Sequence, residues 1–287
     1  SIPTTASPLY TGPVFIDSSR VIRARLFSTN PQILPGKTIT NTYFINENIT
    51  LPVVSLASDP KNLFDWNTGI YVMGPNASPN FPYYGANFWQ GWEKPGHTEF
   101  FEKGGKRGFY LDNILKIHGN WSKGFPQRSF RVQANDDYGQ SMINYKIFPQ
   151  KDIESFKAFN LRNAGIDWNT THMRDGLMHR AVRNTNADIM DHYPVVVFVN
   201  GRYFGVYEMR ERQDEYYLAE NHKVDKDKVD LLRFFGDVMA GSNKDFLSMV
   251  RYIATNDMSV QTKYDTVKNH LLDISNICDY FVIEIFY

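Results

Sequence analysis

The segment Pro194–Glu211, PVVVFVNGRYFGVYEMRE, constrains the fold more than any other part of the chain. Its central pair, Asn200-Gly201, is the dipeptide that best tolerates the positive φ angles of a two-residue type I′ turn, so the segment predicts a β-hairpin. The first arm, Val195–Val199, is apolar at every position and indicates a strand buried on both faces. Alternation divides the second arm into two faces, with Tyr203, Gly205, Tyr207 and Met209 on one and Phe204, Val206 and Glu208 on the other.

Four acids lie at the end of the hairpin segment and in the charged stretch after it: Glu208, Glu211, Asp214 and Glu215. One interpretation makes the hairpin the floor of a cleft, with these acids at its lip where they bond a ribose or a cationic substrate. The other makes it a structural hairpin whose charged end is a solvated face, which is the usual setting of a charge run.

Composition removes several classes of partner. The chain has 31 acidic and 31 basic side chains, so no global field favours nucleic acid or an anionic membrane, and phosphate binding requires a local cluster. No apolar run approaches the roughly 20 residues of a membrane span. The single cysteine, Cys278, excludes an internal disulfide, and its apolar surroundings predict a core position.

The order of elements predicts an α+β fold, because strand patterns dominate the first part of the chain and helical patterns the last. Short strands separated by turn signals indicate a partial β-sandwich module over residues 1–46, followed by a larger unit over 51–287. Other predicted elements are a strand edge at Gly69–Val72, and helices at Thr170–Asn184, Asp214–His222, Asn243–Thr255 (with Ser242 as N-cap) and Tyr264–Tyr287. Both ends have the character of a cut chain, so we expect a fragment.

The most informative polar cluster is His118–Arg131, HGNWSKGFPQRSFR. A glycine-bounded turn carries Ser122 and Lys123, and the strand after it carries Arg128 and Arg131. Free backbone amides, a hydroxyl and a fixed cation are what a phosphate site needs. The two arginines are three apart on a strand and point to opposite faces, so at most one of them joins Lys123. A basic hairpin in solvent is the alternative.

A second cluster is Leu161–Trp168, LRNAGIDW, with His172, Arg174 and Asp175 after it. Such a density of Arg, Asn and Asp at a strand-to-helix turn either orients ligand groups or forms a salt-bridge network that holds the helix. Templates for zinc, for the phosphate-binding loop, for dinucleotides and for a nucleophilic serine are absent from the sequence, and no nucleophile is identified.

Two family resemblances cover most of the chain. The stretch SIPTTASPLYTGPVFIDSSRVIRARLF, with TNTYFI after it, resembles the second half of the Ig-like domain at the C-terminus of chitobiases and hexosaminidases. Residues 51–287 resemble the CotH kinase family, whose members have a remote protein-kinase fold; the matching segments follow in order. They are LPVVSLASDPKNLFD, NFWQGWEKPGHTEFFE, LKIHGNWSKGFPQRSFRV, FKAFNLRNAGIDWNTTHMRDGLMHR, PVVVFVNGRYFGVYEMRERQDEYYL, VDKDKVDLL and CDYFVIEIFY.

The second resemblance implies roles for particular residues. Arg128 stands where the family has a lysine that contacts nucleotide phosphates, and Ser122 and Lys123 match the turn before it. Glu211 matches the hinge position beside adenine or ribose. The family's catalytic Asp and its magnesium-binding Asp are expected beyond Tyr287, so the resemblance implies ATP and Mg²⁺ as cofactors but neither catalytic residues nor metal ligands within this chain.

The implied activity of the parent protein is transfer of the ATP γ-phosphate to Ser or Thr of a partner protein, in a bacterial spore-coat, secreted or cell-surface setting. The alternative is a non-catalytic secreted or surface binding module. In that case the aromatic loop Asn76–Trp92 would stack against carbohydrate.

Overall fold

The computed structural model describes residues 1–286. The strands are β1 (Arg20–Ala24), β2 (Ile39–Tyr43), β3 (Val53–Ala57), β4 (Glu93–Phe101), β5 (Arg107–His118), β6 (Ser129–Ala134), β7 (Ile143–Asn144), β8 (Ser155–Phe156), β9 (Ala158–Arg162), β10 (His192–Val199), β11 (Arg202–Glu211), β12 (Leu231–Arg233) and β13 (Asp237–Ala240). The α-helices are α1 (Pro60–Phe64), α2 (Arg174–Ala181), α3 (Glu215–His222), α4 (Lys244–Thr255), α5 (Gln261–Thr266) and α6 (Ile274–Phe286). Two compact units result, one comprising Ser1–His172 with His192–Arg210 and the other Met173–Asp191 with the residues from Glu211 onward.

Seven strands of the first unit close into a barrel in the order β10-β11-β9-β6-β5-β4-β3. The barrel closes where β10 pairs with β3 in parallel, from Val196 opposite Val53 to Val199 opposite Leu56. Side chains alternate along β5, so that Leu111, Asn113, Leu115 and Ile117 are buried while Asp112, Ile114 and Lys116 between them are partly exposed. The predicted mixture of strands and helices is confirmed, with strands first and helices later. Closure into a barrel was not predicted, and the finer protein-kinase-like fold stays a prediction.

The predicted hairpin is confirmed as β10 and β11. Asn200 and Gly201 have φ angles of 52° and 80°, as a type I′ turn requires, and Val195–Val199 is buried throughout. The predicted faces of the second arm were wrong at its start. Val197 pairs with Gly205 and Phe198 with Tyr203, which leaves Phe204 as the extra residue of a β-bulge.

At the start of β11, before the bulge, the inward- and outward-facing side chains are the reverse of those predicted. Phe204 packs against the barrel core, whereas Tyr203 is 60% exposed, although the sequence pattern grouped Tyr203 with the buried Tyr207. Gly205 has a φ of 128°, a conformation that side chains with a Cβ rarely adopt, and this glycine was the sequence signal for the bulge.

The N-terminal strands β1 and β2 pair with each other and pack on the outside of the barrel. The Thr42 hydroxyl lies 2.7 Å from Ser55 Oγ and donates to Glu99 Oε2 at 2.6 Å. The Phe44 ring packs edge-on against Phe101 and Phe198. Contacts of this kind tie residues 39–44 to β3, β4 and β10. The Ig-like identity of residues 1–46 and the boundary before residue 51 stay predictions.

Several predicted boundaries were wrong for identifiable reasons. Gly69–Val72 is a turn and not a strand edge. The helix predicted at Thr170–Asn184 is the shorter α2, because His172 has a φ of 60° that an α-helix cannot contain. The N-cap of α4 is Asn243 and not Ser242, whose backbone N–H donates to Asp230 Oδ1.

The C-terminal helical segment divides into α5, a π turn at Val267–Leu271 and α6. Tyr287, the last residue of the predicted helix, lies outside the described residues. Cys278 is exposed, which corrects the predicted core position; over residues 274–286 the helix buries no side chain, so its apolar sequence did not mean burial. Nowhere in residues 1–286 is there a helix with the length and apolarity to cross a membrane.

Candidate functional site

Arg128 carries a buried positive charge on the core side of the barrel. It lies immediately before β6 and is 8% exposed. The guanidinium carbon Cζ is 4.1 Å from the centre of the Phe88 ring and 5.1 Å from that of Tyr71. Nη1 donates to the Pro126 carbonyl at 3.3 Å, while the buried Nε has no hydrogen-bond partner among residues 1–286.

Two tyrosine hydroxyls fix the backbone of this arginine. Tyr71 Oη accepts from the Arg128 N–H at 2.9 Å and donates to the Pro126 carbonyl at 3.1 Å. Tyr207 Oη donates to the Arg128 carbonyl at 3.1 Å. Burial raises the pKa of both tyrosines, so both remain protonated donors. The backbone of Arg128 is therefore held at both its N–H and its carbonyl.

Arg128 is electrostatically uncompensated. Over the described residues, no carboxylate lies within ion-pair distance of its guanidinium, and its electrostatic partners are the hydroxyls of Tyr71, Tyr207 and Tyr83. Burial lowers the pKa of the guanidinium, although an arginine side chain stays charged in proteins. Aromatic faces attract a cation but replace lost hydration only in part. An anion would supply the charge and the acceptor that this environment lacks.

Lys123 lies in the 3-10 turn Trp121–Gly124, between β5 and β6. Its Nζ is 4.8 Å from the centre of the Trp89 ring. Trp89 directly follows Phe88, whose ring contacts the guanidinium of Arg128. Burial lowers the pKa of Lys123, and the charges of Lys116 and Arg131 lower it further. The Ser122 carbonyl in the same turn accepts from Asn163 Nδ2 at 3.2 Å.

Arg131 lies on the outer face of the barrel, opposite in direction to the core residue Phe130. Its Nη2 is 2.9 Å from His118 Nδ1, and its Nε donates to Asn160 Oδ1 at 3.1 Å. The prediction that Arg128 and Arg131 face opposite ways is confirmed. Arg131 is the arginine whose charge acts on Lys123. The phosphate roles of Ser122, Lys123 and Arg128 stay predictions.

Asn163 is the hydrogen-bond centre of the second polar cluster. It is 1% exposed, and its Oδ1 accepts from Ser129 Oγ at 2.9 Å and from the Gly165 N–H at 3.1 Å. Its Nδ2 donates to the carbonyls of Ser122 and Gln127. One amide thus joins the end of β9 to the start of β6 and to the turn that carries Lys123. The ligand-orienting and salt-bridge interpretations of His172, Arg174 and Asp175 stay predictions.

The third cluster is not a solvated face, which corrects that interpretation for its two central acids. Glu211 is 1% exposed, and its Oε2 accepts from the Asp191 N–H at 2.7 Å. Asp214 is 3% exposed, caps α3 by accepting from the Tyr217 N–H at 2.9 Å, and pairs with Arg212 Nε at 3.2 Å. Burial raises the pKa of Asp214 in spite of that pair. The contact of Glu211 with adenine or ribose stays a prediction.

The aromatic loop at residues 76–92 turns part of its ring surface inward. Phe88 belongs to the barrel core and Trp89 packs against it, and these are the rings that carry Arg128 and Lys123. Phe81 and Tyr84 are 44% and 53% exposed. Stacking of these rings against carbohydrate stays a prediction. Among residues 1–286 there is no group of three or more His, Cys, Asp or Glu side chains able to hold a metal ion.

Comparison with known protein families shows the family to which the chain belongs. The family described as CotH kinase protein matches residues 115–287, more than half of the chain, which includes the turn at Ser122, both Arg128 and Arg131, and the hairpin. The chain therefore belongs to the CotH kinase protein family. A search of curated protein sequences gave no match.

Sequence reasoning missed three parts of the Arg128 environment: Tyr71, Phe88 and Tyr207. Tyr71 and Phe88 come from loops far from Arg128 in the chain, where nothing in the local pattern signals a contact. Asn163 carried a signal by its position, because it lies between the end of β9 and Ala164-Gly165, a pair in which both residues have positive φ.

Proposed function

We propose that this CotH family member binds the phosphates of ATP through Arg128, as part of a protein that transfers the γ-phosphate to Ser or Thr of a partner protein. The observation that carries the proposal is the buried guanidinium of Arg128, held on two aromatic rings with no carboxylate within ion-pair distance among the described residues. A structural arginine in the same position would ordinarily have an acidic partner, because isolated buried charge is costly.

The chemistry of the site suits a phosphate better than a neutral ligand. A guanidinium donates to phosphate oxygens through several N–H groups at once, and charge-assisted bonds of this kind strengthen where water is excluded. Fixing by Tyr71 and Tyr207 reduces the ordering that binding requires. Ser122 and Lys123 are the further phosphate contacts that the family resemblance implies.

Phosphoryl transfer depends on positioning and on metal-held charge. For the described residues the proposal concerns nucleotide binding, and the transfer step belongs to the protein as a whole. The alternative to this proposal is that the protein binds a partner without binding nucleotide and without catalysing a reaction.

The test is calorimetric titration of the full chain with Mg-ATP. We compare the wild type with Arg128→Met, which keeps an apolar stem on the rings but removes the charge. Arg202→Met, at an exposed arginine of β11, is the matched control. Arg128→Met should weaken binding by about ten- to a hundredfold, the value of one charge-assisted hydrogen-bond contact, and the control should bind as the wild type does. Absence of heat in the wild type, or equal affinities of the wild type and Arg128→Met, would overturn the proposal.

A further inference from the structure

One loop of the barrel unit supports both cations of the candidate site. It comprises residues 81–89, between α1 and β4, and we call it the clamp loop. Its last two residues, Phe88 and Trp89, lie in one 3-10 turn. Their ring centres lie 4.1 Å from Arg128 Cζ and 4.8 Å from Lys123 Nζ. Because one short turn supplies both rings, displacing the clamp loop displaces the support of both cations at once.

The other end of the clamp loop packs directly on the turn Trp121–Gly124. Gly124, the last residue of that turn, is buried. A Cβ atom at this position would lie 2.6 Å from Phe81 Cε2 and 3.1 Å from Pro82 Cα. Gly124 does not have a positive φ, so close contact and not backbone conformation requires a glycine here. The loop and the turn therefore touch without room for one methyl group.

A hydrogen bond ties the two ends of the clamp loop together. Trp89 Nε1 donates to the Pro82 carbonyl at 2.8 Å. Between these ends, the Ala86 N–H donates to the Tyr83 carbonyl at 3.1 Å. The ring beneath Lys123 is thus bonded to the same residue whose Cα packs on the turn.

Aromatic contacts continue from the clamp loop to both ends of the turn. The ring of Phe81 lies 6.0 Å from that of Trp121, the first residue of the turn, and 5.5 Å from that of Phe125, which directly follows it. Phe125 in turn stacks on Trp168 at 5.3 Å. Ring pairs of this kind favour particular geometries, so they fix the position of the turn against the loop.

We propose that Gly124 and Phe81 are positioning residues of the phosphate site. Their contact sets the distance between the clamp loop and the turn, and so places Lys123 and Arg128 for one polyphosphate. The inference rests on the proposed function, in which both cations contact the phosphates of ATP. Charge-assisted hydrogen bonds weaken with distance and misalignment, so shifting the turn should lower affinity although both cations remain.

The first test introduces the methyl group and then makes room for it. Gly124→Ala should weaken Mg-ATP binding about tenfold in the calorimetric titration, the value of one charge-assisted contact. Phe81→Ala removes the ring that the methyl group would meet. In that background, Gly124→Ala should weaken binding by less than about twofold, because the two positions are coupled.

Gly108→Ala, on β5, is the matched control. A Cβ atom there would lie 2.6 Å from Tyr145 Cζ, so the clash with an aromatic ring is the same, but β5 reaches the turn at its other end. Gly108→Ala should lower the free energy of unfolding and leave Mg-ATP affinity unchanged.

The second test reads the position of Lys123 without nucleotide. Acetic anhydride labels exposed amines, and mass spectrometry gives the rate at each lysine. Gly124→Ala should raise the labelling rate of the partly buried Lys123 severalfold relative to the exposed Lys103. Trp89→Phe, which keeps a ring but breaks the bond to the Pro82 carbonyl, should do the same and provides the check if Gly124→Ala does not fold.

Unchanged labelling of Lys123 in both variants would overturn the positioning role, as would an equal loss of Mg-ATP affinity with and without the Phe81 ring. A wild type that does not bind Mg-ATP would instead overturn the proposed function. Raised labelling of Lys123 in that case would still support its placement by the clamp loop, so the two proposals fail separately.

Discussion

Two arginines, Arg128 just before β6 and Arg131 within it, lie on opposite faces and in different environments. On the core side, the guanidinium of Arg128 contacts two aromatic rings and a single carbonyl. On the outer side, Arg131 bonds an imidazole nitrogen and an amide oxygen, beside two lysines. The first cation is buried and has no acid within ion-pair distance among the described residues, whereas the second is only partly buried and lies opposite Lys116. Both residues are arginines, so their surroundings decide which ligand each can bind.

Asn163 connects these two faces. Through Ser129 it fixes the start of β6 beside Arg128, and through Ser122 it fixes the turn that carries Lys123. A substitution at Asn163 should therefore disturb both faces, whereas a substitution at Arg128 or at Lys123 should alter one face only.

The largest effect is expected from Asn163→Ala, which breaks both faces at once. The substitution leaves the buried Ser129 hydroxyl and the carbonyls of Ser122 and Gln127 without their partner, and we expect a loss of about 3 kcal/mol in the free energy of unfolding. Urea denaturation measures it, with the exposed Asn144→Ala as control. A loss no greater than that of the control would show that Asn163 does not organise the site.

Arg128→Met separates the function of the core face from its stability. Nucleotide affinity should fall as stated above, yet the free energy of unfolding should stay equal or rise, because an apolar side chain replaces an unpaired buried charge. Denaturation of the same protein used for the titration measures it. A loss above about 2 kcal/mol would mean that Arg128 is held for packing, since cation–π contacts would then outweigh the cost of burial.

Tyr71→Phe sharpens the comparison by loosening the core face alone. It removes the hydroxyl that joins the Arg128 N–H to the Pro126 carbonyl and should cost about 1 kcal/mol of stability. Mg-ATP affinity should fall severalfold. Tyr110→Phe, at an exposed ring of β5, is the control, and equal behaviour of the two variants would contradict a role for Tyr71.

The smallest effect is expected on the outer face, where Lys123→Met should raise stability slightly. The pKa of Lys123 is lowered by burial and by Lys116 and Arg131, so the folded state holds this proton less tightly than the unfolded chain. The gain of the variant over the wild type should be full at neutral pH and should shrink as pH rises through the lowered pKa towards 10.5, where wild-type Lys123 becomes neutral. Thermal melts at pH 7 and pH 10 check it, and a gain that grows with pH would contradict the cause.

The elements that were predictable from sequence are those fixed by neighbouring residues. Asn200-Gly201 dictates its turn locally, and Val195–Val199 can only be a buried strand. The opposite directions of Arg128 and Arg131 follow from the strand period alone. Each of these statements needs no knowledge of the rest of the fold.

What could not be predicted depends on residues distant in the chain. The rings around Arg128 come from two loops, and the acids Glu211 and Asp214 read as solvated because their partners, a backbone amide and an arginine, give no periodic signal. Cys278 shows the opposite error, in which an apolar run has no covering surface within the described residues. The bulge at Phe204 shifts the inward–outward alternation of β11 by one residue. A period-2 pattern misses this shift unless Gly205 is taken as a sign of the bulge.

The parallel pairing of β3 with β10 has a consequence for how the chain acquires its structure. Ser58, just after β3, donates to Asn200 Oδ1 in the hairpin turn, 142 residues later. During synthesis β3 to β9 emerge first, and the edge of β3 stays without its partner until β10 has left the ribosome. Late, non-local pairing of this kind slows folding and leaves a strand edge open to aggregation. Truncation before β10 should therefore yield insoluble protein, whereas the same barrel started at β10 by circular permutation would make its closing strand first.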